Sequence, residues 1–143
     1  MTLLLDAAPL VAVADRRDPM QPLVEEALRN EGGELVIPAP VTAEVDYLLG
    51  RRLSSVARRA FLSDIAAGRF TVACLDVEDH AVIVDLEQQY EALDAGLADL
   101  SVVVIANRFQ THRILTFDQR HFRALRPLDG GHFTVLPADA PKP

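Results

Sequence analysis

Short apolar runs alternate with longer stretches of helical spacing along the whole chain, and this alternation constrains the fold more than any other feature. Leu3-Leu4-Leu5 is too brief for a helix and shows no polar alternation, so it reads as a strand buried on both faces. Leu35-Val36-Ile37, closed by Pro38, reads as a second strand, Phe70 to Leu75 as a third, Arg113 to Thr116 as a fourth, and Phe133 to Leu136, after the Gly130-Gly131 turn, as a last short one. Helical spacing fills the intervals. Pro9 suits the first turn of a helix through Ala14, and Pro19 to Asn30 is stopped by Gly32-Gly33. Pro40 opens a helix with Thr42 to Leu49 as its body and Gly50 as its stop. Further helices are predicted over Leu53 to Ala67, Val77 to Ala92, Leu100 to Phe109 and about Gln119 to Leu125.

Strands joined through helices require crossover connections, hence parallel pairing with helices on both faces. The expectation is an α/β chain in three layers, α/β/α, around a mostly parallel sheet of four to five strands. Its 143 residues suit one domain spanning 1–143, with the Pro-rich segment 137–143 as a flexible tail.

Half the residues are hydrophobic and 24% are charged, which is a globular and not a disordered balance. The single cysteine, Cys74, can form neither an internal disulfide nor a cysteine zinc site, and a reducing cytoplasm is its simplest setting. Lying in the apolar run FTVACL, Cys74 reads as a small buried hydrophobe. The N-terminal stretch has no positive flank and carries Asp6 at its centre, which argues against a signal peptide, and no run approaches the ~20 apolar residues of a membrane span. The net charge of −7 opposes non-specific binding to nucleic acid. The cations are nevertheless arginine apart from Lys142, and arginine suits bidentate phosphate contacts. They gather as Arg16-Arg17, Arg51-Arg52, Arg58-Arg59 and Arg120/Arg123/Arg126, either as a phosphate-binding rim or as solvated helix faces.

In an open parallel sheet, ligands bind beyond the carboxyl ends of the strands. Asp6 directly follows the first strand, and Asp118 follows the fourth by two residues. Each has a structural alternative as the N-cap of the next helix. Glu44, in PVTAEVDYLL, and Asp99, in GLADLSVVVIANR, sit near helix starts, where Glu44 could face solvent and Asp99 could complement the helix dipole. Together the four occupy positions from which carboxylates converge above a sheet. Two unit charges ~4 Å apart repel by about 4 kcal/mol at an effective dielectric of 20. A hard divalent cation, Mg²⁺ or Mn²⁺, relieves that repulsion. One or two such ions could activate a water for phosphodiester hydrolysis. Asp46 points to another helix face than Glu44 and reads as structural, Phe122 reads as core, and His121 reads as packing or solvent-facing rather than as a phosphate contact.

The ordered segments LLLDAAPLVA, VTAEVDYLL, GLADLSVVVIANR and ILTFDQRHFRALRP resemble the PIN-domain ribonucleases, in particular the VapC-type toxins of bacterial type II toxin–antitoxin pairs. The resemblance runs from Leu3 to about Leu136, and Thr-x-Asp-x-x-His-Phe after a short strand is its most specific part. It implies a PIN-like fold and a metal-dependent endoribonuclease. The implied catalytic and metal-holding residues are Asp6, Glu44, Asp99 and Asp118, with Thr116 supporting the site. Also implied are Mg²⁺ or Mn²⁺ as cofactor, a cognate antitoxin that blocks the site, and a homodimer. Arg51, Arg52 and Arg120 are the candidates for contact with RNA.

One departure stands out. The family usually places Thr or Ser soon after the first Asp, whereas this chain has Ala7-Ala8. A non-catalytic binding module on the same fold is therefore the alternative function. A phosphotransferase of the haloacid-dehalogenase type would need a second Asp where Ala8 stands, and no Gly-x-x-x-x-Gly-Lys phosphate loop is present.

Overall fold

The computed structural model describes residues 1–142. Five strands form one parallel sheet: β1 (Thr2–Leu5), β2 (Glu34–Pro38), β3 (Thr71–Ala73), β4 (Arg113–Leu115) and β5 (Thr134–Leu136), in spatial order β3-β2-β1-β4-β5. Seven helices connect them: α1 (Ala7–Val13), α2 (Gln21–Asn30), α3 (Ala39–Arg52), α4 (Ser55–Ala66), α5 (Val77–Gln89), α6 (Leu97–Arg108) and α7 (Gln119–Ala124), with a 3₁₀ turn at Glu91–Leu93. The layered α/β/α reading of the sequence therefore holds, with all five strands parallel.

The apolar triplet that opens the chain sits at the centre of the sheet. Leu3, Leu4 and Leu5 are each 0% exposed, because helices cover both faces of β1. Burial of each such side chain contributes roughly 1.5–3 kcal/mol relative to exposure. Helix α6 is apolar on nearly every side, and Leu100 to Ala106 are all buried. A helix without a polar face must lie inside, and α6 packs against β1, β2, α3 and α5.

The strand order sets where a crevice forms. The chain steps from β1 outward to β2 and β3, then returns to add β4 and β5 on the other side of β1. The order therefore reverses between β1 and β4. Connections leaving these two strands diverge, and a crevice opens past their carboxyl ends. Asp6 and Thr116 are the residues that immediately follow β1 and β4.

Several local expectations change. Gly50 does not stop α3, which continues to Arg52, and the helix start at Ala39 puts Glu44 in the second turn. A side chain at Gly50 would overlap the guanidinium of Arg58, which explains the glycine there by close approach and not by helix termination. Gly68, at φ +79°, does end its helix, and its amide bonds the Ile65 carbonyl at 3.0 Å. Cys74 is exposed, not buried. β3 is an edge strand whose pairing ends at Ala73, so Cys74 lies just beyond the ladder. The tail is fastened as far as Ala140: Arg123 grips Asp139 through two hydrogen bonds of 2.6 and 2.8 Å, and Asp139 Oδ2 accepts from the Val135 amide at 2.8 Å.

Candidate metal centre

A continuous hydrogen-bond chain crosses the crevice. Thr116 Oγ1 donates to Asp6 Oδ2 at 2.7 Å and accepts from the Asp118 amide at 3.0 Å. Asp118 Oδ1 accepts from the His121 amide at 3.0 Å, which caps α7. His121 Nδ1 lies 2.6 Å from Asp99 Oδ2 and 3.0 Å from Asp118 Oδ2. Two carboxylate oxygens facing one ring nitrogen make Nδ1 the protonated nitrogen. Asp6, Thr116, Asp118, His121 and Asp99 thus form one unit, drawn from β1, β4, α7 and α6.

Local sequence explains each placement. Asp6 occupies the N-cap position of α1, yet its side chain makes no cap bond and turns to Thr116 instead. Asp118 both caps α7 and faces the cluster, so its two readings are compatible. Asp99 lies in the first turn of α6, where the helix dipole favours a negative charge, and it also reaches His121. Exposure rises from 7% for Asp6 to 20% and 38% for the Asp99 and Asp118 side chains, giving a closed floor and an open mouth. Glu44 stands exposed at the rim on α3.

The electrostatics follow from this packing. Burial pushes the Asp6 carboxyl above the usual range. The Thr116 and Ala7 hydrogen bonds oppose that shift, and the neighbouring charges of Asp99 and Asp118 add to it. Asp99 is raised chiefly by burial, against the stabilising His121 contact. Glu44 is raised by the partial burial of its carboxyl and then by the charges of Asp6 and Asp99.

The donor set fits a hard divalent cation. Ligand atoms of Asp99, Asp118 and His121 lie within 4.8 Å of one another. A carboxylate offers about four acceptor sites, so the protein donors on Asp6, Asp99 and Asp118 orient these groups without exhausting them. Among the described residues the group of Asp99, Asp118 and His121 contains neither Asp6, which joins it only through the Thr116 hydrogen bonds, nor Glu44.

Ala7 is buried and Ala8 exposed, and the oxygen touching Asp6 belongs to Thr116. His121 was the missed residue: it belongs to the cluster, not to packing or solvent. Its signal was present three residues after Asp118, where a helix N-cap faces its own N3 residue. Asp46 is structural as read, since its carboxylate lies 3.2 Å from Arg58 Nε, and Phe122 is core at 1% exposed. Arg51, Arg52 and Arg120 are exposed, the first two in the last turn of α3 and the third on α7 beside His121.

The sequence profile of the PIN domain matches residues 3–126. The chain is 38% identical over 138 residues to a protein named ribonuclease VapC26 from Mycobacterium tuberculosis, covering 94% of this chain and all of that one. Among solved structures, VapC20 of M. tuberculosis, described as a sarcin-ricin loop cleaving toxin, superposes with a TM-score of 0.78 at 13% identity, covering 85% of this chain and 94% of that one. VapBC2 of Rickettsia felis, bound to a DNA fragment from its promoter, gives 0.68 at 18% identity, covering 94% and 98%. The extent of the profile match and the near full-length identity lead to one conclusion: the chain belongs to the PIN domain family.

Proposed function

We propose that this protein is a metal-dependent endoribonuclease, the toxin of a toxin–antitoxin pair, which hydrolyses RNA at the Asp6/Glu44/Asp99/Asp118 centre. One observation carries the reading. Thr116 and His121 tie three aspartates from distant segments into a single network at the strand-order reversal, and Glu44 feels the charges of Asp6 and Asp99. The 38% identity to a ribonuclease supports RNA as the substrate.

Asp6, Asp99 and Asp118 would hold the ion, Mg²⁺ or Mn²⁺. When bound, the ion supplies charge neutralisation at the phosphate and lowers the cost of forming the attacking nucleophile. Glu44 stands at the open rim, where its raised proton affinity suits it to orient the attacking water and take up its proton. Water would add to phosphorus, the bond from phosphorus to the leaving oxygen would break, and that oxygen would take a proton from solvent. Thr116 and His121 keep the carboxylates aimed. Arg120, exposed and next to His121 in the chain, is the candidate to meet the RNA backbone.

A cognate antitoxin protein, a homodimer, one domain over 1–143 and a cytoplasmic setting complete the proposal. No helix among the described residues is long and apolar enough to cross a membrane.

The decisive test is cleavage of total cellular RNA with and without Mn²⁺, followed by mapping of the new ends. Asp6→Ala and Asp99→Ala are expected to abolish cleavage while circular dichroism stays native. Metal-dependent cleavage retained by both purified variants would discard the assignment and leave a binding module on the same fold.

A further inference from the structure

The stretch from Tyr47 to Ser63 contains Arg51, Arg52, Arg58 and Arg59 and no acid, in a chain whose net charge is −7. It forms the end of α3 and most of α4, a basic corner beside an acidic centre. Glu44, Tyr47 and Arg51 follow one another on α3 at spacings of three and four, so they share a face. Along the axis, Tyr47 lies about 4.5 Å and Arg51 about 10.5 Å past Glu44. Tyr47 is 60% exposed. It borders an open cavity of about 360 Å³ whose other walls are Gly50, Arg51 and Arg58.

Arg58 is held in advance. Its Nε lies 3.2 Å from Asp46 Oδ1 and donates to the Asp46 carbonyl at 3.3 Å. The guanidinium then lies across Gly50, the place where any side chain would collide with it. Among the described residues its terminal nitrogens have no hydrogen-bond partner, and Arg51 and Arg52 pair with no acid. A fixed guanidinium fork, a second arginine and an exposed aromatic ring together match what binds single strands: backbone phosphates on cations, with a base stacked between them.

We infer that the α3–α4 corner is a track for single-stranded RNA, in which Tyr47 stacks one base and Arg51 with Arg58 hold adjacent phosphates. The track leads along α3 to Glu44. It rests on the nuclease reading, because its direction matters only if the carboxylate centre cuts RNA. An acidic peptide would satisfy the arginines but would not use the face of Tyr47.

Fluorescence anisotropy with a short labelled single-stranded RNA of mixed sequence, in EDTA to prevent cleavage, tests the track. Tyr47→Ala should weaken binding roughly fivefold or more, and Tyr47→Phe should not. Arg51→Ala and Arg58→Ala should each lower the salt slope by about 0.7. Gly50→Ala is the sharpest variant. It leaves the net charge unchanged and favours the helix, yet displaces the Arg58 guanidinium, so its RNA affinity should fall part of the way to that of Arg58→Ala. Wild-type affinity in Tyr47→Ala and Gly50→Ala overturns the track. So does an equal loss of binding to polyglutamate, which would assign the corner to an acidic protein partner. Mn²⁺-dependent cleavage by the wild-type protein reports separately on the carboxylate centre. A protein that cleaves RNA while these variants keep full affinity sinks the track and leaves the nuclease reading standing.

Discussion

Thr116 Oγ1 sits between Asp6 Oδ2, 2.7 Å away, and the Asp118 amide, 3.0 Å away, so one buried hydroxyl couples the ends of β1 and β4. Replacing it by an apolar group leaves Asp6 without its donor and Asp118 N–H without its acceptor. Thr116→Val should cost about 1–3 kcal/mol of stability by urea unfolding. It should also weaken Mn²⁺ binding about 10- to 100-fold. Thr116→Ser should keep most of both. Unchanged Mn²⁺ affinity in Thr116→Val would remove the hydroxyl from the site's support.

His121 holds two acids at once, Asp118 through its backbone amide and Asp99 through its ring. His121→Ala keeps the first contact and loses the second, so Mn²⁺ affinity should fall about 10- to 100-fold. His121→Asn returns a donor near the position of Nδ1 and should recover part of the loss. An electron paramagnetic resonance titration of free Mn²⁺ reads both variants. Equal affinity in wild type and His121→Ala would make the ring a bystander.

The carboxylates of Asp6 and Asp99 carry folded pKa values raised by burial, so each favours the protonated folded state. In metal-free protein their contribution to stability is full below the ordinary carboxylate pKa of about 4, and is lost as pH rises through the raised value. Asp99→Asn should therefore raise the melting temperature of metal-free protein at pH 7. With Mn²⁺ the order should invert. Wild type gains about 2.7 kcal/mol at a hundredfold excess over Kd, and the variant gains little. Thermal melts at pH 5 and pH 7, with and without Mn²⁺, decide it.

The clip between Arg123 and Asp139 has the opposite sign. Arg123 first, then the Val135 amide, lower the Asp139 carboxyl to about 2. Its contribution is present above about pH 4 and fades as pH falls toward 2. Asp139→Ala should speed hydrogen exchange at the Val135 amide at neutral pH, and the wild type should approach that rate only in strong acid. Equal rates at pH 7 would show that the chain end is held by other contacts.

What the sequence determined by itself is local. Three leucines with no polar alternation specify a strand buried on both faces, and Leu100 to Ala106 specify a helix that must lie inside. An acid placed straight after a buried strand has few alternatives to the crevice, which is why Asp6 and Asp118 were legible, and Thr116 with them through its motif. The tertiary structure decided what depends on how helices settle against one another. His121 meets Asp99 across 22 positions only because α6 and α7 both begin at the crevice. Gly50 reads as a stop until α4 lays Arg58 across it. Cys74 reads as core until the sheet places β3 at its edge. Period and propensity report how one segment presents its faces, whereas a contact between segments depends on their relative placement, which packing of the whole core fixes.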